Sequence, residues 1–328
     1  MLMATKLAAP LGGLLYSLLH LGGFDGDLSF YASRSTGRVL EMGCGDGRIA
    51  AALCLGTSPL STLQEQQQAA AAGFDTPSTR AAAASPPHSY SAIEICEPLA
   101  LKARARLADA PCEVDILVGD FLTPLPPERI ACFDTVLVSA NTLFTTARHD
   151  ALLANCAAAL SPGGVLLLDV YNALLWHGDD EEQEEAQAAQ EEVNERGEEA
   201  TVLVRVQDEE GRDWTVYERD PAVDSNGQTI RCVYDFHTSA TAALPDDGSR
   251  GDGGDGGGSA VGEGAMAAKV MTETLVHEYL LPEQLVRKLD ACGFVIDEIF
   301  GSFDEALPFD PDESEHVVVV ARRRADST

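Results

Sequence analysis

Basic residues are scarce in this chain, with 22 Lys and Arg against 53 Asp and Glu, a formal net charge of −31. Nucleic-acid affinity comes mainly from cations set against phosphates, so DNA and RNA are not expected as partners. Eight cysteines (Cys44, Cys54, Cys96, Cys112, Cys132, Cys156, Cys232, Cys292) form no CxxC pair, and no His stands at zinc-finger spacing. No metal site is therefore expected, and free thiols fit a reducing, cytoplasmic compartment. An apolar run long enough to cross a bilayer is also missing. The N-terminal "LGGLLYSLLHLGG" is too short and carries Tyr16 and His20, so it reads as a helix capping the domain at residues 1–36, and no membrane contact is expected. What is present is 45% apolar residues over 328 positions, enough for a sizeable core in a soluble globular protein.

Much of the acidity is segregated. Residues 178–199 hold eleven acids against Arg196, and residues 245–264 hold five against Arg250. The first stretch reads as an acidic loop (178–200), and the second lies in a glycine-rich linker expected to be disordered (240–268). A third low-complexity stretch, residues 57–87, is rich in Ala, Gln, Ser and Pro and lacks the periodicity a buried element requires, so it reads as a disordered surface insertion.

Setting these aside leaves a regular alternation of strands and helices. "RVLEM" precedes a helix from about Gly47, "SAIEI" precedes "PLALKARARLA", "VDILV" precedes a loop, "FDTVLVSA" precedes "RHDALLANCAAAL", and "GVLLLDV" closes the series. This βαβ order predicts a Rossmann-like, doubly wound α/β sheet over residues 37–177 with helices on both faces. "TVLVRV", "WTVYER", "TIRCVYDF" and "KVMTETLVHEYL" then follow with little helix between them, predicting a small antiparallel β insertion at 201–280. A helix through "PEQLVRKLDACG" and the strands "FVIDEIF" and "HVVVVARR" (281–328) complete a seven-stranded, mostly parallel sheet whose last strand is antiparallel.

The turn after the first strand, "EMGCGDGR", spaces Gly43, Gly45 and Gly47 two apart. Such a turn lets a nucleotide-like ligand approach the backbone at a helix N-terminus. The dinucleotide fingerprint GxGxxG is absent, because the spacing here is GxGxG, and this argues against a nicotinamide cofactor. An acid ending the second strand binds ribose hydroxyls about 20 residues after the first strand in such folds. Glu94 lies 53 positions after Glu41, and excision of the 31-residue insertion leaves 22.

At these residues the chain resembles the class I S-adenosylmethionine-dependent methyltransferases. "VLEMGCGDGRIA" is similar to their first motif, "SAIEICEPLALKARARL" to their second-strand motif, "ILVGDFLTPLP" to the acidic loop after the third strand, and "FDTVLVSANTLF" with "LSPGGVLLLDVYN" to the fourth and fifth strands. The resemblance implies S-adenosyl-L-methionine as cofactor. Its implied contacts are Gly43, Cys44, Gly45, Asp46 and Gly47 around the methionine part, Glu94 at the ribose, and Asp120 with Phe121 at the adenine, with Glu41, Ile95 and Ser139 as further cofactor-binding residues. Glu94 stands where Asp is commoner in the family, and Asp46 where Thr or Ser is frequent. "YSLLHLGGFDGDLSFY" is similar to the lead-in of small-molecule members, so Tyr16 and Tyr31 are candidate lid residues with core packing as the alternative. The late strands resemble a substrate cover inserted after the fifth strand.

Asn141, Tyr171 and Asn172 follow the fourth and fifth strands and are candidates for facing a substrate, although such residues also fix loops. Seven histidines (His20, His88, His149, His177, His237, His277, His316) cannot be ranked as bases, and no catalytic residue is assigned. The expected activity is methyl transfer to N or O of a small molecule by in-line displacement. A protein or RNA methyltransferase, a non-catalytic cofactor-binding module and a nicotinamide reductase are the alternatives. Nothing in the sequence indicates the oligomeric state.

Overall fold

The computed structural model describes residues 23–56, 87–178, 200–207, 212–238 and 268–325. Tyr16 and His20, and the expected disordered and acidic stretches apart from their edges, lie outside the described residues. The chain divides into two compact units, one of Met1–Ala186, Val223–Ile230 and Val276–Thr328, the other of Gln187–Ala222 and Arg231–Leu275.

The first unit is built on a seven-stranded sheet. Its elements are α1 (Asp27–Arg34), β1 (Arg38–Met42), α2 (Arg48–Leu55), β2 (Ser89–Glu94), α3 (Glu97–Arg106), β3 (Glu113–Val118), β4 (Phe133–Val138), α4 (His149–Ala159) and β5 (Leu160–Tyr171). After the strands β6 (Ala200–Gln207), β7 (Asp213–Asp224), β8 (Thr229–Thr238) and β9 (Ala268–Glu278) come α5 (Pro282–Ala291), β10 (Phe294–Phe300) and β11 (His316–Arg323). The strand order is β10-β11-β5-β4-β1-β2-β3. β1 to β5 pair in parallel, and β11 runs antiparallel to both β5 and β10.

Burial explains the composition of the strands. In β1 only Arg38 is exposed, and Val39, Leu40, Glu41 and Met42 are buried, because a central parallel strand is covered on both faces. The edge strand β3 buries only Ile116 fully, which matches its alternation with Glu113 and Asp115. Pro282 opens α5 in its first turn, and the Leu281 amide donates to Gln284 Oε1 at 2.9 Å, so the helix start is fixed by its own sequence.

The second sheet has the order β6-β7-β8-β9, with β6 antiparallel to β7. In β8, Ile230 and Phe236 on one face are buried, and Asp235 on the other face is buried as well. It accepts from Arg219 Nη2 at 2.7 Å and pairs with Lys269 Nζ at 2.7 Å. Burial alone would raise its pKa, but hydrogen bonds from Lys269, Thr272 and Arg219 outweigh that and bring the carboxyl down to about 2.

The strand order reverses between β1 and β4, the place where open α/β sheets bind ligands beyond their strand C-termini. The turns after β1, β2, β3, β4 and β5 all open on this edge, and the sites anticipated from the sequence fall on it.

Candidate active site

The glycine turn is a backbone device. Gly43, Gly45 and Gly47 have φ of 82°, 55° and 83°, a left-handed region in which side-chain-bearing residues are strained. The Gly43 amide donates to Ile93 O at 2.8 Å, tying the turn to the end of β2. A Cβ at Gly43 would lie 3.1 Å from Thr142 Cγ2 and 3.6 Å from Phe121 Cε1, so this glycine keeps open the space between the turns after β1, β3 and β4. A Cβ at Gly47 would meet Ala103 Cβ at 3.0 Å and Cα at 3.1 Å. The third glycine therefore lets α2 pack against α3.

The acids divide by role. Glu94 is buried, with Oε2 accepting from the Gly45 amide at 2.9 Å and Oε1 from the Cys96 amide at 2.8 Å. Burial raises its pKa, and these backbone donors oppose the rise. Each carboxylate oxygen retains a second lone pair, which suits a hydroxyl donor. Glu41 is 1% exposed and accepts from Tyr90 Oη and from Ser139 Oγ at 3.0 Å. Burial lifts its pKa to about 7 against those two hydrogen bonds and Arg48. Asp46 is held by a bidentate pair with Arg106 at 3.0 and 3.1 Å, which clamps the turn to the end of α3. Cys44 is buried, and burial with the neighbouring acids pushes its thiol far up, so it is no nucleophile.

Beyond β3, Asp120 is exposed and Oδ1 accepts from the Leu122 amide at 2.8 Å, forming an Asx turn. Asn155 on α4 donates to Phe121 O at 2.7 Å and Thr123 O at 3.0 Å and holds this loop from beneath. Sequence reading missed Asn155, because a polar residue 34 positions on, within a helix, carries no local signal. Ile95 is exposed and, with Cys96, Glu97, Pro98, Leu101 and Val118, lines an open cavity of about 400 Å³.

The turn after β4 is fastened by a second buried acid that sequence reading also missed. Ala140 and Asn141 both have left-handed φ, 51° and 59°. Asp169 on β5 is fully buried and accepts from the Ala140 amide at 2.8 Å, the Asn141 amide at 3.3 Å and Tyr31 Oη. Burial raises the Asp169 pKa to about 6. Tyr31 is 0% exposed and packs against Phe30 and Phe303, so the core alternative holds for it and the lid role does not. Asn141 Oδ1 accepts from the Tyr171 amide at 2.7 Å and cross-links the ends of β4 and β5. Asn172 is fully buried, donating to Pro311 O at 2.8 Å and Ser314 O at 2.9 Å while accepting from the Leu174 amide, so its side chain is spent on loop closure.

Tyr171 stands in an aromatic cluster at the same edge. Phe144 and Trp176 meet it edge-on with centroids 4.9 and 5.1 Å away, and His277 stacks on it at 5.7 Å with 27° between planes. Leu174, Leu175 and Trp176 are exposed beside it. Among the described residues no helix is long and apolar enough to cross a membrane, and no three His, Cys, Asp or Glu side chains gather to hold a metal ion.

These residues fit a cofactor with a nucleoside and a flexible polar arm. The turn presents backbone rather than side chains, Glu94 offers acceptors beside it, and the open apolar cavity at Ile95 continues the same edge. Residues 70–164 match the family model described as "Methyltransferase domain". The match spans β2 to the start of β5, and the glycine turn lies ahead of it. No curated protein sequence matches the chain. Among solved structures, a S-adenosylmethionine-dependent methyltransferase from Clostridium acetobutylicum superposes with a TM-score of 0.57 at 10% identity, covering 95% of this chain and 98% of that one. The CcbJ methyltransferase from Streptomyces caelestis gives 0.53 at 19% identity, with 92% and 89% covered. SAM-bound CalS10 from Micromonospora echinaspora, an amino pentose methyltransferase involved in calicheamicin biosynthesis, gives 0.50 at 16% identity, with 91% and 88% covered. Residues 70–164 thus match a methyltransferase domain, and the chain shares its fold with these S-adenosylmethionine-dependent methyltransferases.

Proposed function

We propose that the chain transfers a methyl group from S-adenosylmethionine to nitrogen or oxygen of a small molecule. The observation that carries this reading is the convergence, at the β1/β4 reversal, of a side-chain-free glycine turn with a cluster of apolar and aromatic side chains after β4 and β5. The first suits a nucleoside cofactor and the second an acceptor of modest size. The amino pentose activity of one structural neighbour agrees with a small acceptor, and the charge of −31 disfavours RNA.

In this reading Gly43, Gly45 and Gly47 hold the methionine portion through their backbone, with Glu41, Cys44, Asp46 and Ser139 fixing the turn from behind it. Glu94 accepts from the ribose, and Ile95, Asp120 and Phe121 flank the adenine. Asn141 and Tyr171 shape the acceptor side, and Asn172 closes the loop that supports them. The bound sulfonium supplies an already activated methyl group with a neutral leaving group, so the protein contributes alignment and exclusion of water rather than covalent catalysis. The strands β6 to β9 leave the chain after β5 and return before α5, and we assign them the role of substrate cover.

Incubation of the protein with methyl-labelled cofactor and separate small-molecule, protein and RNA fractions tests the reading. Label is expected in the small-molecule fraction. Label confined to protein or RNA would contradict it.

A further inference from the structure

His277, in the aromatic cluster, has no part in the reading so far. Its side chain is half-buried, and its Nδ1 lies out of solvent with no hydrogen-bond partner among the described residues. A buried polar nitrogen left unpaired is costly and calls for a reason. Of the other imidazoles at this edge, His316, in register with Tyr171, also has an unpartnered Nδ1 among the described residues but packs against Phe24 and Phe303, whereas His149 and His177 are committed. His149 Nε2 lies 2.8 Å from Glu278 O, and His177 Nδ1 lies 2.8 Å from Tyr279 Oη. Burial pushes the His277 pKa down to about 4, and no carboxylate or cation contributes, so the ring is neutral near pH 7. Tyr171 stacks on its ring and is itself met edge-on by Phe144 and Trp176, so the imidazole belongs to an aromatic cluster. Thr142, two residues before Phe144, is also the side chain nearest a Cβ built on Gly43, so this cluster adjoins the glycine turn.

We propose that His277 contacts the methyl-accepting group and that this group is an amine, which enters the aromatic cluster as an ammonium ion and gives one proton to the imidazole. The proposal rests on the methyl-transfer reading above. Aromatic faces attract a desolvated cation and do nothing comparable for a neutral hydroxyl. An ammonium ion loses its proton at a pKa of about 8 to 10, whereas an alcohol is nearly as weak an acid as water, at about 15.7. A weakly basic imidazole with no carboxylate behind it bridges the first gap far more readily than the second.

The steps balance. One N–H bond of the ammonium breaks, its proton going to the imidazole and its electron pair staying on nitrogen. That pair forms the new N–C bond while the carbon–sulfur pair departs with sulfur. The product is again an ammonium ion, and the imidazolium returns its proton to water.

Two readouts test the assignment, one of them independent of turnover. The chain has two tryptophans, Trp176 and Trp214, so W214F leaves Trp176 as the only indole. In that background phenethylammonium should quench Trp176 fluorescence saturably and at least about tenfold more tightly than phenethyl alcohol. His277→Gln should weaken the response. In the wild-type background, methyl-labelled cofactor offered with matched panels of amines and alcohols should label amines. His277→Gln should lower that rate about a hundredfold or more, with S-adenosylhomocysteine affinity and melting temperature retained. His316→Gln changes the other half-buried imidazole, among the described residues, whose Nδ1 has no partner, and should leave the rate within about twofold. Label on alcohols alone, a parental rate in His277→Gln, or rate loss in His316→Gln instead would overturn the assignment while methyl transfer stands. Absence of S-adenosylhomocysteine binding together with absence of label would overturn the underlying reading as well.

Discussion

The two halves of the candidate ligand edge are made differently. After β1 and β2 the site is backbone: three glycines at positive φ, held by Glu94 and clamped through Asp46 to Arg106. After β4 and β5 it is side chain: Phe144, Tyr171 and Trp176, joined by His277 from β9, with Asp169 fixing the turn after β4 and Asn141 tying that turn to Tyr171. A backbone site binds one ligand class and tolerates little change. A side-chain site is revised residue by residue, which is how one fold serves many acceptors.

The sharpest way to break this contrast is a substitution in the glycine turn. Gly47→Val forces a branched side chain into φ +83° and onto Ala103, and should destabilise the protein by on the order of 3 kcal/mol or more. Gly163→Ala is the matched control, since φ is +80° there but nothing lies within 4 Å of the added carbon. It should cost roughly 1 kcal/mol. Equal losses in thermal melts would remove the close-approach explanation for Gly47.

Asp169→Asn acts on the other half. An amide nitrogen replaces one of two acceptor oxygens facing the Ala140 and Asn141 amides and Tyr31 Oη, so a loss of about 2 kcal/mol is expected. The strained turn after β4 should loosen and turnover fall, while S-adenosylhomocysteine affinity changes less than twofold. Comparable loss of cofactor affinity, measured by calorimetry, would mean the halves are not separable.

A smaller effect is expected from Glu41→Gln and appears only as a pH dependence. Burial raises the Glu41 pKa from 4.5 to about 7. Between those values the folded state holds a proton that the unfolded state has released, so this group's contribution to stability is full below about pH 4.5 and is lost as the pH rises through 7. Gln still accepts from Tyr90 and leaves Ser139 Oγ free to rotate and accept in turn. The difference in melting temperature between variant and parent should shift in the variant's favour from pH 4.5 to 8. A constant difference would show that Glu41 ionises normally in the fold.

The contrast also governs what the sequence made readable. The glycine turn was legible because φ > 0 demands glycine at fixed local spacing, and the place of Glu94 at the end of the second strand was legible once the insertion was set aside. The seven-stranded sheet with its antiparallel last strand was legible in the succession of strands and helices, while its strand order was not. Illegible were the partners brought together by folding: Arg106 lies 60 positions from Asp46, Asp169 lies 138 from Tyr31, and His277 lies 106 from Tyr171. Asn172, a candidate for facing substrate, is drawn instead into the loop before β11, which no local pattern announces. Asn155 and Asp169 sit inside a regular helix and strand, where a polar residue reads as a surface position or an interruption.

The smallest expected effect concerns residues 57–87. Gly56 closes α2 and the His88 amide bonds to Gly37 O at 2.9 Å, so both flanks are anchored independently of what lies between. A short Gly-Ser replacement should leave melting temperature and cofactor affinity nearly unchanged, because loop length enters stability only weakly. Failure of that variant to fold would show that the segment packs against the core.

Calorimetric titration with S-adenosylhomocysteine and, separately, NAD tests the central claim most directly, with the parent, Gly45→Val and Tyr171→Ala side by side. The parent and Tyr171→Ala should bind S-adenosylhomocysteine with similar affinity, Gly45→Val should show no binding, and NAD should give no comparable heat. Tight NAD binding without a response to the sulfur compound, or retained binding in Gly45→Val, would contradict it.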